Sequence, residues 1–291
     1  MNELIAPAWK DHELLDCGNF EKLERFGNYT LIRPEPQAIW DRKLSEKEWK
    51  SIATARYVAK SSTAGDWDRF KDIKYPWTVK FDGEGFDIKF HLKFTAFKHV
   101  GVFPEQAANW NYLYQFLKNC GVPQPKVLNL FAYTGGASLA AKKAGSDIIH
   151  LDSVKQVVNW SRENMELSGL KDIRWVVEDA LKFVLREARR GNKYNAIIMD
   201  PPSYGLGPTG ERWKLEDDLN EMMKNVLSLL DEKSRCFIIN TYSLNLSSLV
   251  LKNLVETNLG KINNADYGEL CLSSKEEVSL PLGSYYRFNK F

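Results

Sequence analysis

The stretch from Lys126 to Asp152 constrains the fold of this chain more than any other. Val127–Phe131 is a short apolar run, typical of a strand buried on both faces of a parallel sheet. Gly135 and Gly136 follow, and they predict a tight turn that lets the backbone come close to a bound group. A helix-favouring segment and a second apolar run then end in Asp152. This unit is typical of a nucleotide site, where turn N–H groups receive a polar group and the carboxylate takes ribose hydroxyls.

A second strand end carries another acid. The glycine spacing does not fit G-x-G-x-x-G, so the first unit alone equally fits a tight turn with an incidental acid. Downstream, the apolar run Asn195–Met199 ends in Asp200, Pro201 and Pro202. Two prolines neither continue a central strand nor enter a helix interior, so the chain leaves the sheet in a stiff loop. Because ligands of open α/β sheets bind at the carboxyl ends of the strands, Asp200 is a candidate site residue.

The pattern of the remaining segments predicts an α/β protein. Five strands alternate with helices, and a hairpin formed by 267–272 and 284–288 closes the series. This predicts a doubly wound, mostly parallel seven-stranded sheet with helices on both faces. The third strand, Arg174–Val177, runs into Glu178 and Asp179. Asp179 is well placed to cap the next helix, which is an alternative to a role in binding.

The amino-terminal part has a different character. Alternation in 78–94 predicts a β-hairpin whose polar face carries Lys80, Lys89, His91 and Lys93. Such a face fits a solvated surface or a contact with nucleic acid, and both interpretations stay open. Segment 61–68 is interpreted as a loop. We therefore predict a small β-rich, substrate-side domain over residues 1–98 and a catalytic domain over 99–291.

Composition narrows the function classes. The net charge of +2 is far from the strongly cationic balance that would by itself indicate a nucleic-acid binder. Four scattered cysteines without C-x-x-C spacing favour a reducing cytosol over disulfides or structural zinc, and no metal site is predicted. No apolar run reaches membrane-spanning length, so we expect a cytoplasmic protein without membrane contact. The oligomeric state is left open.

Three segments carry a family resemblance: "LNLFAYTGGASLAA", "LDSVKQVVNWSRENMELSGL" and "DPPSYG". Through them the chain resembles the class I S-adenosylmethionine-dependent methyltransferases, in the branch related to bacterial 23S rRNA methyltransferases. The resemblance implies a Rossmann-like methyltransferase fold, S-adenosyl-L-methionine as cofactor and RNA, above all rRNA, as partner. Asn129 stands where family members often carry an acid. The cofactor-binding residues that the resemblance implies are Phe103, Gln106, Asn129, Phe131, Tyr133, Thr134, Gly135, Gly136, Asp152, Ser153, Asp179, Ala180 and Asp200.

The resemblance also implies that the loop after the fourth strand presents the target base. Its candidate catalytic residues are Asp200, Pro201 and Tyr204, with Tyr204 stacking on a flipped base or, alternatively, packing within the loop. Relatives that methylate carbon 5 of cytosine carry a cysteine just after the fifth strand, and this chain has 240-NTYS-243 there. Direct methyl transfer without a covalent intermediate is therefore predicted. Arg212, Trp213 and Lys214 are predicted to contact RNA or to belong to a mobile loop.

Other functions stay open at this stage. A methyltransferase acting on a small molecule or a protein would use the same fold. A nucleotide-dependent oxidoreductase is disfavoured by the glycine spacing and the Asp-Pro-Pro loop. A non-catalytic RNA-binding module with the same fold is a further alternative.

Overall fold

A computed structural model describes residues 2–61, 64–242, 246–275 and 277–291 of the chain. The described residues form strands, helices and connecting loops, and a short 3-10 turn precedes the second helix. The strands are β1 (Asn2–Ile5), β2 (His12–Gly18), β3 (Glu21–Phe26), β4 (Tyr29–Pro34), β5 (Ala55–Ala59), β6 (Gly65–Arg69), β7 (Trp77–Asp82), β8 (Asp87–Leu92), β9 (Lys126–Leu130), β10 (Asp147–Asp152), β11 (Arg174–Val177), β12 (Ala196–Met199), β13 (Tyr204–Leu206), β14 (Arg212–Lys214), β15 (Arg235–Thr241), β16 (Asp266–Ser273) and β17 (Ser279–Lys290). The helices are α1 (Glu46–Ile52), α2 (Ala107–Asn119), α3 (Gly136–Lys143), α4 (Lys155–Leu167), α5 (Ala180–Arg189), α6 (Leu215–Ser228) and α7 (Ser248–Leu259).

The main sheet has the order β1-β16-β17-β15-β12-β9-β10-β11. Its neighbours pair in parallel, except that β17 runs antiparallel to both β15 and β16. This confirms the predicted doubly wound, mostly parallel α/β sheet with a reversed last strand. The sheet has eight strands instead of the seven predicted, because β1 pairs with β16 through Asn2 and Gly268. A four-residue strand at the chain start gives no alternation that sequence analysis could use.

Two apolar cores cover the two faces of this sheet. Successive strand residues point to opposite faces, so Val127 and Ile148 pack toward α2 and α3. Leu128 and Ile149 pack on the other side, in the core that α5, α6 and α7 complete. No helix among the described residues is long and apolar enough to cross a membrane.

The amino-terminal region forms a second sheet in the order β2-β3-β4-β5-β6. The predicted loop at 61–68 is partly wrong, since Gly65–Arg69 is β6, antiparallel to β5; residues 62–63 lie outside the described residues. The acids Asp66 and Asp68 are typical of a loop, so the sequence does not indicate this strand. Trp67 holds it in place by packing 5.4 Å from the ring centroid of Tyr57.

The predicted hairpin is confirmed as β7 and β8, and it joins the core beneath α2. The centroids of Phe81 and Trp110 are 5.6 Å apart, and both belong to the core of α2 and α3. The apolar core thus continues across the boundary expected at residue 98, and the division into 1–98 and 99–291 stays a prediction.

The basic residues of the hairpin have separate environments. Lys80 forms ion pairs with Asp82 and, at 3.8 Å, with Asp87. The side chain of Lys93 lies over the ring of Trp160, with Nζ 4.1 Å from the ring centroid. Lys93 is the member of this set that lines the large cavity at the edge of the main sheet. A contact of this face with nucleic acid therefore stays a prediction, and Lys93 is the residue best placed for it.

Candidate active site

The carboxyl ends of neighbouring strands meet at one edge of the main sheet. Leu130 of β9 pairs with Leu151 of β10 and with Met199 of β12. The next residues of β10 and of the loop after β12 are Asp152 and Asp200, so the two carboxylates lie at the same edge. The sequence predicted this arrangement from the order of strands and acids.

A cavity of about 840 Å³ opens at this edge, and a smaller one of about 50 Å³ adjoins it at the glycine turn. Predicted site residues on the larger cavity are Phe103, Phe131, Tyr133, Asp152, Ser153, Asp179, Ala180, Asp200, Pro201 and Tyr204. Those on the smaller cavity are Phe103, Gln106, Asn129, Phe131, Tyr133, Thr134, Gly135, Gly136 and Asp200. The structure thus brings all predicted site residues together, while their individual roles stay predictions.

The glycine turn between β9 and α3 is built from left-handed backbone. Phe131, Tyr133 and Gly135 have φ angles of 53°, 48° and 95°, a region that costs free energy for residues other than glycine. A Cβ on Gly136 would lie 2.3 Å from Cζ2 of Trp110. The close approach that this glycine permits is therefore to the Trp110 ring, which seats the start of α3 against α2.

Two predicted site residues hold this turn in place. Asn129 Nδ2 donates to Ser138 Oγ at 2.9 Å, and Thr134 Oγ1 donates to the Gly101 carbonyl at 2.6 Å. Asn129 and Thr134 are both buried. A neutral Asn129, satisfied inside the core, thus occupies the position where related proteins often carry an acid.

Asp152 is oriented by backbone donors. Its Oδ2 accepts from the Tyr133 N–H and its Oδ1 from the Val154 N–H, both at 2.9 Å. Burial raises the pKa of the Asp152 carboxyl, and the N–H groups of Val154, Tyr133 and Ser153 oppose that shift. A carboxylate fixed in this way at a strand end is suited to accept hydrogen bonds from a ribose diol.

Asp179 caps α5. Its Oδ1 accepts from the Lys182 N–H at 2.9 Å, so the capping alternative raised by the sequence is present. The same residue lines the larger cavity together with Ala180. A role of Asp179 in binding an adenine stays a prediction.

The Gln106 amide has a fixed orientation. Asn109 Nδ2 and Asn240 Nδ2 both donate to its Oε1 at 3.1 Å. Its Nε2 is therefore directed to Asp200 Oδ2 at 3.3 Å and to Tyr242 Oη at 2.9 Å. Gln106 links the Asp-Pro-Pro loop to the residue that follows β15.

Asp200 has one oxygen without a partner. Its Oδ1 is buried and accepts no hydrogen bond from any of the described residues. Burial raises the pKa of Asp200 well above its ordinary value, and the Glu105 carboxylate adds to the shift. An unsatisfied buried oxygen costs about 1–3 kcal/mol. Such an atom on a cavity wall is typical of a site that a bound donor group completes.

The loop after Asp200 forms a small hairpin of β13 and β14. Tyr204 is 55% exposed at the cavity mouth, which favours stacking over internal packing. Trp213, in contrast, is buried, with its Nε1 donating to the Pro202 carbonyl at 2.7 Å. Its ring centroid is 5.1 Å from that of Phe131. Trp213 therefore packs inward and anchors the Asp-Pro-Pro loop, and its contact with RNA stays a prediction.

Sequence analysis missed several residues of the cavity wall. Tyr242 follows β15 directly and lines the larger cavity, so the strand-end argument that selected Asp200 also selects it. From the amino-terminal sheet and the segment after β8, charged residues also reach the cavity. They are Lys22, Arg33, Glu35, Lys98 and His99. Lys22 and Arg33 lie on strands β3 and β4, where a charged side chain resembles one on an exposed surface.

The doubly wound sheet with its reversed last strand, the glycine turn and the acids at the strand ends define a Rossmann-like methyltransferase fold. A family model described as S-adenosylmethionine-dependent methyltransferase matches residues 74–239. The chain belongs to this family. The predicted class of enzyme and its cofactor, S-adenosyl-L-methionine, are thereby confirmed.

Similar proteins include one solved structure that spans the whole chain. The SAM-dependent methyltransferase from Agrobacterium tumefaciens is 34% identical, with a TM-score of 0.91, over 100% of this chain and 94% of that chain. Ribosomal RNA large subunit methyltransferase K/L of Shewanella frigidimarina is 28% identical over 161 residues, which are 54% of this chain and 22% of that protein. Ribosomal RNA large subunit methyltransferase I of Aeromonas salmonicida is 32% identical over 82 residues, which are 27% of this chain and 21% of that protein. The matches thus span only about a fifth of the length of these two curated relatives.

Proposed function

We propose that this chain transfers the methyl group of S-adenosylmethionine directly to a base in RNA, with Asp200 placing the acceptor. The observation that carries this proposal is the buried, unpaired Oδ1 of Asp200 on the wall of a cavity that Asp152 and Asp179 also line. A carboxylate oxygen in that position accepts a hydrogen bond from the acceptor, such as an exocyclic amine. Asp200 thereby orients the reacting atom.

S-adenosylmethionine, when bound, supplies a methyl group on a positively charged sulfur, so alignment matters more than acid–base help. Asp152 would hold the ribose hydroxyls, and the glycine turn would hold the methionine part. Phe103 lies between two tyrosines, with ring centroids 5.2 Å from Tyr133 and 5.6 Å from Tyr242. These rings form an aromatic wall on the cavity that Asp200 also lines.

The cysteines support direct transfer. All four are buried, and none lines either cavity. Cys236 lies within β15, and burial raises the pKa of its thiol. Burial also raises the pKa of Cys17 and Cys271 to about 11. A covalent enzyme–base intermediate needs a thiolate beside the base, and the described part of the chain provides none there.

The choice of RNA as acceptor rests on the relatives and on the cavity mouth. The names of the two curated relatives given above state that they act on ribosomal RNA of the large subunit. Tyr204 and Leu206, each 55% exposed, offer apolar surface at the mouth for a base turned out of its stack. In this proposal residues 1–98 form the substrate side, residues 99–291 the catalytic side, and the protein acts in the cytoplasm.

Binding of the cofactor product tests the first part of the proposal. We expect calorimetry to show binding of S-adenosylhomocysteine, and Asp152→Ala to weaken it by about 1–3 kcal/mol, because ribose hydroxyls lose their acceptor. Asp147→Ala, an exposed acid at the start of the same strand, is the matched control and should bind as the unchanged protein does. Unaltered affinity in Asp152→Ala would remove Asp152 from the site. Binding of NADH without S-adenosylhomocysteine would contradict the proposed function.

Direct transfer predicts that no thiol is essential. Each of the variants Cys17→Ala, Cys120→Ala, Cys236→Ala and Cys271→Ala is expected to keep methyl transfer to large-subunit rRNA from cells that lack this protein. The same rRNA substituted with 5-fluorocytosine is expected to give no adduct that survives denaturant. An adduct that disappears in one of the four variants would show that a cysteine attacks the base.

A further inference from the structure

The walls of the larger cavity carry opposite charges. The carboxyl ends of the parallel strands contribute acids to one wall: Asp152, Glu178, Asp179 and Asp200. The amino-terminal sheet and the segment that follows β8 contribute four cations to the other, Lys22, Arg33, Lys93 and Lys98, together with the carboxylate of Glu35. A sulfonium cofactor with a ribose diol complements the acidic wall. The basic wall complements an anionic group.

The cations of the amino-terminal sheet are built into its interior. Arg33 and Lys22 are only 3% and 7% exposed. Arg33 Nε and Nη2 donate to Glu24 Oε2 at 2.9 and 2.5 Å, and Lys22 Nζ lies 3.3 Å from Glu35 Oε2. Burial opposes ionisation of Glu24, yet Arg33 and Lys22 hold the pKa of this carboxyl well below its ordinary value. These groups therefore form a charged network inside the protein.

Lys98 borders this network without an ion pair of its own among the described residues. It is partly buried, and its Nζ donates to the Pro34 carbonyl at 3.3 Å. It forms no ion pair within 4.0 Å with a carboxylate of the described residues. Lys22 and Arg33 interact with the buried carboxylates of Glu24, Glu35 and Glu105, whereas Lys98 has no carboxylate of the described residues at ion-pair distance. Burial and the neighbouring cations lower the pKa of Lys98, so an anion bound beside it would relieve an electrostatic cost.

This wall lies close to the proposed reaction centre. His99 follows Lys98, and its ring centroid is 4.8 Å from that of Phe103. Phe103 in turn contacts Tyr242, with 5.6 Å between their centroids, and Gln106 joins Tyr242 to Asp200. Two ring contacts therefore separate the basic wall from the residues that would hold the acceptor. That spacing suits a nucleotide, with its base at Asp200 and a phosphate at Lys98.

We propose that Lys98, supported by Arg33 and Lys22, forms an oxyanion subsite that receives a phosphate group of the methyl acceptor. The subsite rests on the proposed function, since it needs an acceptor that carries phosphate. The phosphate comes either from within an RNA chain or from the end of a mononucleotide. Both present the same chemistry to the lysine.

The test uses Lys98→Met in the full-length chain, which keeps the length of the side chain and strands no buried carboxylate. Lys98→Arg retains the charge, and Lys118→Met, an exposed lysine of α2 away from the cavities, is the matched control. Thermal melting checks the fold of each variant. Each protein is saturated with S-adenosylhomocysteine and titrated with the four nucleoside 5′-monophosphates, their nucleosides and a mixed-sequence RNA dodecamer lacking terminal phosphates.

We expect Lys98→Met to weaken phosphate-bearing probes about 10-fold, the loss typical of a charge-assisted hydrogen bond. Affinity for S-adenosylhomocysteine should change less than about twofold, Lys98→Arg should restore most of the loss, and Lys118→Met should have no effect. A loss confined to the dodecamer, with a smaller salt dependence, assigns the phosphate to an RNA chain. A loss seen with a monophosphate but not with its nucleoside assigns it to a mononucleotide.

Three results would overturn the subsite. The first is a loss of S-adenosylhomocysteine affinity in Lys98→Met as large as the loss of affinity for the phosphate-bearing probes. That result would show that Lys98 binds the carboxylate of the cofactor. The second is unchanged affinity for every phosphate-bearing probe. The third is absence of phosphate-dependent binding by the unaltered protein saturated with S-adenosylhomocysteine. Failure of the unaltered protein to bind S-adenosylhomocysteine at all is a separate result, which contradicts the proposed function itself.

Discussion

Asp200→Asn is expected to lower methyl-transfer turnover by about 10²–10³-fold, the range for removing a group that stabilises a transition state. Asn preserves the shape of the side chain and its contact with Gln106, but it replaces the acceptor oxygen Oδ1 with an amide N–H₂ group, which donates. Affinity for S-adenosylhomocysteine should change less than about twofold, since the interaction is made mainly in the transition state. Single-turnover kinetics and calorimetry measure the two quantities.

The matched control is Asp172→Asn, at an exposed loop position whose φ of 62° asparagine tolerates. It should leave both turnover and affinity unchanged. A turnover of Asp200→Asn within about threefold of the unaltered protein would remove Asp200 from the reaction centre, since a group that stabilises the transition state contributes far more.

The same substitution should stabilise the fold, increasingly so at higher pH. The native pKa of Asp200 is raised well above its ordinary value by burial, so the native state binds this proton more tightly than the unfolded state does. The contribution of this proton to the free energy of unfolding is complete below the pKa of the unfolded state, about 3.9. It decreases as pH rises above that value and is lost once pH has passed through the native pKa. Asparagine does not titrate, so the melting temperature of Asp200→Asn should rise relative to the unaltered protein between pH 4 and pH 8. A difference in melting temperature between the two proteins that stays constant across this pH range would contradict the raised pKa of Asp200.

The sequence predicted the parallel sheet and its acids for a local reason. Each strand is a short apolar run that ends in a turn or an acid, and the carboxyl ends of parallel strands share one edge. Asp200 was further constrained by Pro201 and Pro202, which force the chain out of the sheet. Such signals are complete within about ten residues, so no knowledge of distant contacts was needed.

The elements that escaped prediction depend on distant partners. β1 exists because Asn2 meets Gly268 at the far end of the chain, and no local pattern contains that information. In the sequence, Arg33 resembles a surface residue. In the structure it is buried and donates a hydrogen bond to Glu24 across the hairpin of β3 and β4. Charged residues that are paired in the interior cannot be distinguished from solvated ones by alternation alone.

The packing role of Trp213 escaped prediction for a related reason. It lies between Arg212 and Lys214, and an aromatic side chain flanked by cations is typical of a surface that contacts RNA. In a strand, however, neighbouring side chains point to opposite faces. Arg212 and Lys214 are exposed, whereas Trp213 packs inward on Phe131. Its position predicts a large effect on stability.

Trp213→Ala is expected to lower the free energy of unfolding by about 3–5 kcal/mol, the range for truncating a buried tryptophan. The ring loses its contact with Phe131, and the Pro202 carbonyl loses its donor. Trp213→Phe keeps most of the packing and should cost only about 1–2 kcal/mol, chiefly from the lost hydrogen bond. Leu206→Ala, an exposed position on the facing strand, is the control and should change stability by less than about 0.5 kcal/mol. Urea unfolding at equilibrium measures all three.

Because Trp213 holds the loop that carries Asp200, turnover of Trp213→Ala should fall even where the protein is fully folded, while Trp213→Phe should retain most of its activity. If Trp213→Ala is as stable as the unaltered protein and loses only RNA affinity, the side chain contacts the substrate and is not the anchor of this loop.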